Sequence, residues 1–350
     1  MKQIETDYFV LNRNSVTFFA GKFGYLRDET LKRMKKYDIA AIGELNVDII
    51  LNRIESEPEI GKEKFAKDMT VTLGSSTAIF AANAAALGSK VCFVGLVGRD
   101  PFGALVKESL EAKGVDTRYV MEGETPTGAT ICMSYGMDRA NLTYQGAMDV
   151  MGFDDIDKSV FDETKHIHLS SLFMQSALLR DIDKVLDLAA AKGVTVSLDT
   201  QWDPMETWKL DYKRVLPKIT VFMPNEKELQ ALTGAPDLES AIASVVPYLG
   251  NAMLLKCGAD GSVLVRKDGS RKVLPAFLNK HVVDCIGAGD SFNSGFISAF
   301  VKGLSLEDCQ ETGNLTGAVN TTAAGGTGAF TSLEDVRRIC ADRFGRPIKL

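Results

Sequence analysis

From Asp38 onward, short apolar runs recur along the chain, each stopped by glycine or a polar pair. Ile39–Ile42 ends at Gly43 and Val47–Leu51 follows directly, so both read as strands. Thr70–Leu73 alternates more weakly, as a half-exposed strand does. Gly74-Ser75-Ser76-Thr77 then opens an alanine-rich stretch, Ala78–Leu87, closed by Gly88; small polar residues before and glycine after are helix start and stop signals. Val91–Val97 reads as a buried strand, and Asp100-Pro101 starts a helix through Lys113, proline being tolerated in a first turn. Val115–Val120, Gly128–Tyr135 and Asn141–Gln145 read as short strands with no long helix among them.

After Asp154 the rhythm changes. Ile167–Leu169, Val194–Leu198, Ile219–Met223 and Met253–Leu255 are apolar strands separated by helical segments at Ala177–Ala191, Glu226–Leu232 and Leu238–Leu249. Strand alternating with helix is the pattern of βαβ units and a parallel sheet. Val263–Arg266 and Lys272–Leu274 flank Asp268-Gly269, a hairpin signal. Helices Ala288–Lys302, Leu306–Ala323 and Leu333–Arg343 finish the chain. Residues 1–36 carry Tyr8, Phe9, Phe18, Phe19, Phe23 and Tyr25, too aromatic for a free tail, and form an N-terminal extension of unknown role; residues 37–350 form one domain.

Composition narrows the function. The 350 residues carry 40 basic and 46 acidic side chains, a net charge of −6, which argues against nucleic acid and anionic membrane as partners. No apolar run approaches the roughly 18 residues that span a bilayer, and Met1–Ala20 lacks a secretory core, so a cytoplasmic location is expected. The six cysteines form no C-x-x-C pair, and three histidines give no zinc spacing. His166 and His168 flank Ile167 in a strand and share a face, which favours packing over metal binding. Trp202 and Trp208 are placed in a loop and a helix; stacking on a base is the alternative to packing. Met133, Met137, Met148 and Met151 are expected to pack or to touch the lid described below.

The densest chemistry lies in Val283-Asp284-Cys285-Ile286-Gly287-Ala288-Gly289-Asp290-Ser291-Phe292. A strand-like run, His281–Val283, enters a glycine turn that opens a helix. Free amides at a helix start, with glycines permitting close approach, make an anion site. Asp290 falls in the first turn, where the helix dipole favours an ionised carboxylate at neutral pH. A carboxylate beside a phosphate cradle suits hydroxyl phosphorylation; the plain structural alternative is a glycine turn capped by Asp290. There is no G-x-x-x-x-G-K-[ST], and Phe292 occupies the place of the third glycine of a dinucleotide fingerprint, which disfavours an oxidoreductase.

Asp284-Cys285-Ile286-Gly287-Ala288-Gly289-Asp290 resembles the C-terminal signature of the ribokinase-like, or PfkB, carbohydrate kinases, usually D-T-x-G-A-G-D. Six further stretches match in order: Gly43–Asp48, Gly74–Thr77, Val94–Gly103, Asn225–Glu228, Lys256–Gly261 and Ala324–Ala329. The resemblance covers about Asp38 to Arg343. It departs at Cys285 and Ile286, which replace Thr and Thr or Val, and at Ile79, where many members carry a sugar-binding Asn.

The resemblance implies an α/β fold, a ribokinase-like three-layer sandwich with a mostly parallel central sheet and a small β-sheet lid, here Val47–Thr72 plus Val115–Tyr144. It implies ATP-dependent phosphorylation of a sugar hydroxyl with Asp290 as base and Gly287, Ala288 and Gly289 as the anion hole. Asn46, Asp48, Gly74, Ser75, Ser76 and Gln145 fall to the sugar. Asn225, Lys256, Gly258, Gly261, Asn320 and Gly325 fall to ATP, and Glu228 to Mg2+, directly or through water. Asp284 and the Ile286 carbonyl match a monovalent-cation site, which leaves K+ activation open. Fructose, ribose and 2-keto-3-deoxygluconate are all open as acceptors, with a nucleoside kinase or a non-catalytic sensor as alternatives. A homodimer through the lid and a cover supplied by the N-terminal extension are the two ways to shield the lid's apolar face.

Overall fold

The structure, a computed structural model, describes residues 35–135 and 138–350. The aromatic N-terminal stretch and Met137 lie outside the described residues. The strands are β1 (Tyr37–Ile42), β2 (Asn46–Asn52), β3 (Asp68–Leu73), β4 (Val91–Gly98), β5 (Asp116–Gly123), β6 (Gly128–Tyr135), β7 (Asp138–Tyr144), β8 (Thr164–Ser170), β9 (Thr195–Asp199), β10 (Val221–Phe222), β11 (Ala252–Lys256), β12 (Ser262–Arg266) and β13 (Arg271–Leu274). Nine make one sheet in the order β13-β12-β11-β10-β9-β8-β1-β4-β5. From β11 to β5 every neighbour is parallel; β12 and β13 add an antiparallel edge.

Helices cover both faces, which is why the central strands are continuously apolar rather than alternating. In β1, Ala40 and Ile42 enter a core shared with Phe161, Leu186 and Leu255, while Ile39 and Ala41 enter the opposite core with Phe80, Leu254 and Phe296. Helices Ile182–Ala191, Glu226–Thr233 and Leu238–Val245 pack on the first side. Helices Ser76–Ala86, Pro101–Ala112 and Ala288–Val301 pack on the second. The result is the three-layer ribokinase architecture. Among the described residues, no helix is long and apolar enough to cross a membrane.

The second sheet has the order β3-β2-β6-β7 and forms the lid. Only Gly43-Glu44-Leu45 separate β2 from β1, so the chain passes from core to lid in three residues. Ile49 pairs with Val71 and Ile131, and Ile131 with Leu142, which collects apolar side chains on one face. Met69 and Leu142 there are each 65% exposed. The alternation puts Asp48, Thr130, Cys132, Asn141 and Thr143 on the other face, toward a cavity.

Three expectations are corrected. Val115–Val120 does not belong to the lid: β5 pairs with β4 through Val94↔Tyr119 and Gly95↔Val120 at the edge of the large sheet, and the later lid strands begin at Gly128. Tyr119 and Val120 are buried in opposite cores, so this strand is covered on both sides. His281–Val283 is not a strand; Val282 and Val283 are 56% and 61% exposed. Trp208 lies in a loop, not a helix. In addition, Ala177–Ala191 divides at Asp181 into helices Ser176–Arg180 and Ile182–Ala191.

Candidate active site

A cavity of about 650 Å³ opens between the lid's polar face and the C-terminal ends of the central strands, where parallel α/β sheets bind ligands. Its lid wall begins at Asn46, whose Nδ2 lies 2.9 Å from Thr130 Oγ1 and 3.3 Å from Asp48 Oδ1. Thr130 Oγ1 in turn lies 3.0 Å from Thr143 Oγ1. Asn46, Asp48, Ser75 and Ser76 all line the cavity. Gly74 sits behind Asp48, where a Cβ would fall 2.3 Å from Asp48 Oδ1. Ser75 adopts φ 72° and caps helix Ser76–Ala86 by accepting the Ala78 amide at 2.9 Å.

Gln145 does not line this cavity; its Nε2 donates to the Met174 carbonyl at 3.1 Å. Sequence reasoning also passed over Glu44, which does line it. This carboxylate is buried and accepts the Thr77 hydroxyl and, at 3.2 Å, the Thr77 amide. Burial nevertheless pushes its pKa up.

The floor is the start of helix Ala288–Val301. Gly287 has φ 72°, and a Cβ there would meet Gly326 Cα at 2.7 Å, so the turn needs glycine. The Ala288 amide closes that turn by donating to Cys285 O at 3.2 Å. The amides of Gly287 and Gly289 have no hydrogen-bond partner among the described residues, which leaves two donors open at the helix start. Asp284 braces the turn from behind, its carboxylate accepting Ile286 N and Gly325 N at 2.9 Å each. Asn320 does the same: Nδ2 donates to Ile286 O at 2.7 Å and Oδ1 accepts from Ser291 at 2.8 Å. Asn320 and Gly325 thus hold the turn and line neither cavity described here.

Asp290 is 6% exposed and accepts Gln201 Nε2 at 2.9 Å. Burial, then Asp199, raise its pKa to about 8, with Glu44 adding to the rise and Lys256 and Gln201 opposing it. The expectation of an ionised Asp290 at neutral pH is therefore corrected for the ligand-free protein: burial and a neighbouring carboxylate outweigh the helix start.

Asp199, at the end of β9, is fully buried and was not singled out from sequence. It pairs with Lys256 Nζ and accepts Asn293 Nδ2 at 2.5 Å and Gln201 Nε2 at 3.2 Å. Burial alone would lower the Lys256 pKa, but Asp199, Glu228 and Asp290 raise it, so the ammonium stays charged. Asn225 caps helix Glu226–Thr233, accepting the Glu228 amide at 2.9 Å while Glu228 Oε2 accepts the Asn225 amide at 2.9 Å. Burial and Asp199 raise the Glu228 pKa to about 7.

Glu44, Asp48, Glu228 and Asp290 thus line the cavity with Lys256 as the one lining cation among the described residues, and Lys256 is already paired. Such a site is short of positive charge and suits a divalent cation arriving with phosphates. No group of three His, Cys, Asp or Glu among the described residues converges to hold a metal unaided.

A second cavity, about 330 Å³, lies on the far side of Ala288 and Gly289 and shares Lys256 and Gly258 with the first. Gly261, Leu278, Val282, Phe292 and Ala318 give it a mainly apolar lining. The sequence did not single out the Ala276–Asn279 wall, because an exposed apolar Leu278 in a loop carries no periodic signal.

The sequence pattern of the pfkB family carbohydrate kinases matches residues 36–332. The 5-dehydro-2-deoxygluconokinase of Lacticaseibacillus casei is 29% identical over 86% of this chain and 95% of its own length. The structure of Arabidopsis thaliana ribokinase complexed with ribose and ATP superposes with a TM-score of 0.76 at 26% identity, covering 87% of this chain and 98% of that one. A putative ribokinase II from E. coli, in complex with ATP and Mg2+, gives 0.75 at 21% identity over 86% and 98%. Sequence and fold agree: this chain belongs to the pfkB family of carbohydrate kinases, ATP-dependent phosphotransferases of ribokinase-like fold.

Proposed function

We propose that this sugar kinase transfers the γ-phosphoryl group of ATP to an acceptor hydroxyl held under the lid, with Asp290 as the general base. One observation carries the reading: Asp290 is buried at the helix start beside the free Gly287 and Gly289 amides, where the two cavities meet. A carboxyl raised to about 8 is a stronger base than an ordinary aspartate, matched to proton transfer near neutral pH. Asn46, Asp48 and Ser76 orient the acceptor's hydroxyls. Gly287 and Gly289 stabilise the transferring phosphoryl group, and the apolar cavity takes the adenine. Asn225 and Glu228 would hold Mg2+ through its water ligands; when bound, the ion neutralises phosphate charge. Lid closure excludes water from the transfer.

ADP release measured with ATP, Mg2+ and a panel of sugars and nucleosides tests the reading. Acceptor-dependent ADP release with a phosphorylated product supports it; binding of acceptor and ATP without ADP release from any panel member would leave a sensor instead.

A further inference from the structure

The loop after β9 concentrates backbone strain without glycine. Gln201, Glu206 and Trp208 have φ of 58°, 51° and 50°. A buried hub, Asp203, fastens the second half of the loop: its carboxylate accepts the amides of Met205, Thr207 and Trp208 at 2.9, 2.8 and 2.7 Å and the Thr207 hydroxyl at 3.0 Å, while the Gln201 amide donates to Asp199 at 3.2 Å. Burial works against the Asp203 carboxylate, yet its donors bring its pKa below the usual range. Strained residues persist where surrounding structure over-determines them, and they cluster at ligand sites.

This loop presents two side chains to the acceptor cavity. Gln201 reaches Asp290. Trp202 lines the same cavity and remains 46% exposed. It is held edge-to-face by Trp208 at 5.0 Å, and Trp208 is held by Phe173 at 5.4 Å. An indole left open to a polar cavity but braced from behind is preorganised to pack against a ligand.

The cavity's charge narrows that ligand. Among the described residues Lys256 is its one lining cation, and it is already paired with Asp199. A phosphorylated or carboxylated acceptor would bring a second anion that meets no unpaired cation among the described lining residues.

We propose that Trp202 is the platform for the acceptor and determines specificity, its indole packing on the apolar face of a neutral polyhydroxylated ring: a free sugar, or the ribose of a nucleoside. The inference rests on the kinase reading above but has its own readout. The chain has two tryptophans, so Trp208→Phe leaves Trp202 as the sole indole reporter. Ribose, fructose and adenosine are titrated separately into the Trp208→Phe protein. At least one is expected to change the Trp202 emission saturably, and the one that does identifies the source of the ring. Trp202→Ala should raise the acceptor KM by about 10-fold while the ATP KM moves less than about 2-fold, and Trp202→Phe should recover most of the loss.

A Trp202 emission unmoved by all three rings overturns the proposal. So does an equal change in both KM values, or better use of fructose 6-phosphate or 2-keto-3-deoxygluconate than of the neutral rings. Emission change without ADP release would remove the kinase reading and leave the platform standing. ADP release with a silent Trp202 would do the reverse.

Discussion

Asp290→Asn separates the base from the rest of the site. The amide keeps the side-chain volume, and its oxygen can still accept Gln201 Nε2, so the helix start and the Gly287 turn should be preserved. What disappears is a proton acceptor whose pKa, raised by burial and Asp199, stands at about 8. At about pH 7 roughly a tenth of the free enzyme then carries the carboxylate, and at about pH 9 roughly nine-tenths does. The acceptor kcat/KM of the wild type is expected to rise about 10-fold across that interval, since it reports the free enzyme's base. Glu228, raised to about 7, contributes to the lower part of the same limb.

In Asp290→Asn the upper limb vanishes, and kcat falls by about 10²- to 10⁴-fold. ADP release measured from about pH 6 to about pH 9.5, with ATP affinity measured in parallel, reads both effects. A level wild-type profile, or a variant keeping more than roughly a tenth of the wild-type kcat, would refute Asp290 as the base. Stability supplies an independent sign. A carboxyl raised in the fold contributes stability below its unfolded value and loses it as pH rises through about 8. The wild type should therefore lose Tm between about pH 4 and about pH 8 faster than Asp290→Asn, with the two slopes converging above about 8.

Asp48→Ala should raise the acceptor KM far more than the ATP KM, since Asp48 lies on the lid wall; parallel changes in the two would remove it from the acceptor site. Lys256→Met leaves Asp199 buried without its cation and should cost about 3–5 kcal/mol in denaturant unfolding; a cost below about 1 kcal/mol would mean that Asn293 and Gln201 suffice. His166 and His168 are held neutral by burial, each lowered to about 3, so their stability contribution is present above about 6.5 and drains as pH falls toward 3. That predicts a loss of about 1.4 kcal/mol per histidine per pH unit, which His168→Asn should halve; an unchanged acid slope of Tm would contradict it. The lid's apolar face is expected to pair with a second lid, giving a two-chain mass by light scattering that survives deletion of Met1–Lys35. A full-length monomer that aggregates on deletion would exclude the pairing.

The parts of this site legible in the sequence were those made from local turns. Gly287 and Gly74 announce themselves because a single backbone conformation or a close approach requires glycine, and Asn225–Glu228 because a capping box is four consecutive residues. Asp199 and Gln201 gave no such signal. Asp199 meets Lys256, and Gln201 meets Asp290, only because the sheet order brings the end of β9 near β11 and the helix at Gly287. Glu44 was visible within its motif, but its burial follows from helix Ser76–Ala86 packing over β1. Val115–Val120 was assigned to the lid because a short strand has the same pattern in either sheet; burial on two faces distinguishes them, and that is a tertiary fact. The ionisation of Asp290 was misjudged for a related reason. The helix start is local and readable, whereas the opposing carboxylate comes from 91 positions away in the chain.

The three-residue passage from β1 to β2 has a consequence for how such an enzyme can diversify. In the proposed reading, acceptor contacts fall to the lid face and the strained loop after β9, and transfer and nucleotide contacts to the helix start at Gly287 and the apolar cavity beyond it. The two sets meet at Asp290 and Lys256. A lid joined to the core by short links can be rewritten strand by strand, or exchanged whole at its junctions, without disturbing the phosphoryl-transfer apparatus. Drift in acceptor preference is therefore cheap and drift in chemistry is expensive, so lineages built on this scaffold should differ in what they phosphorylate long before they differ in how.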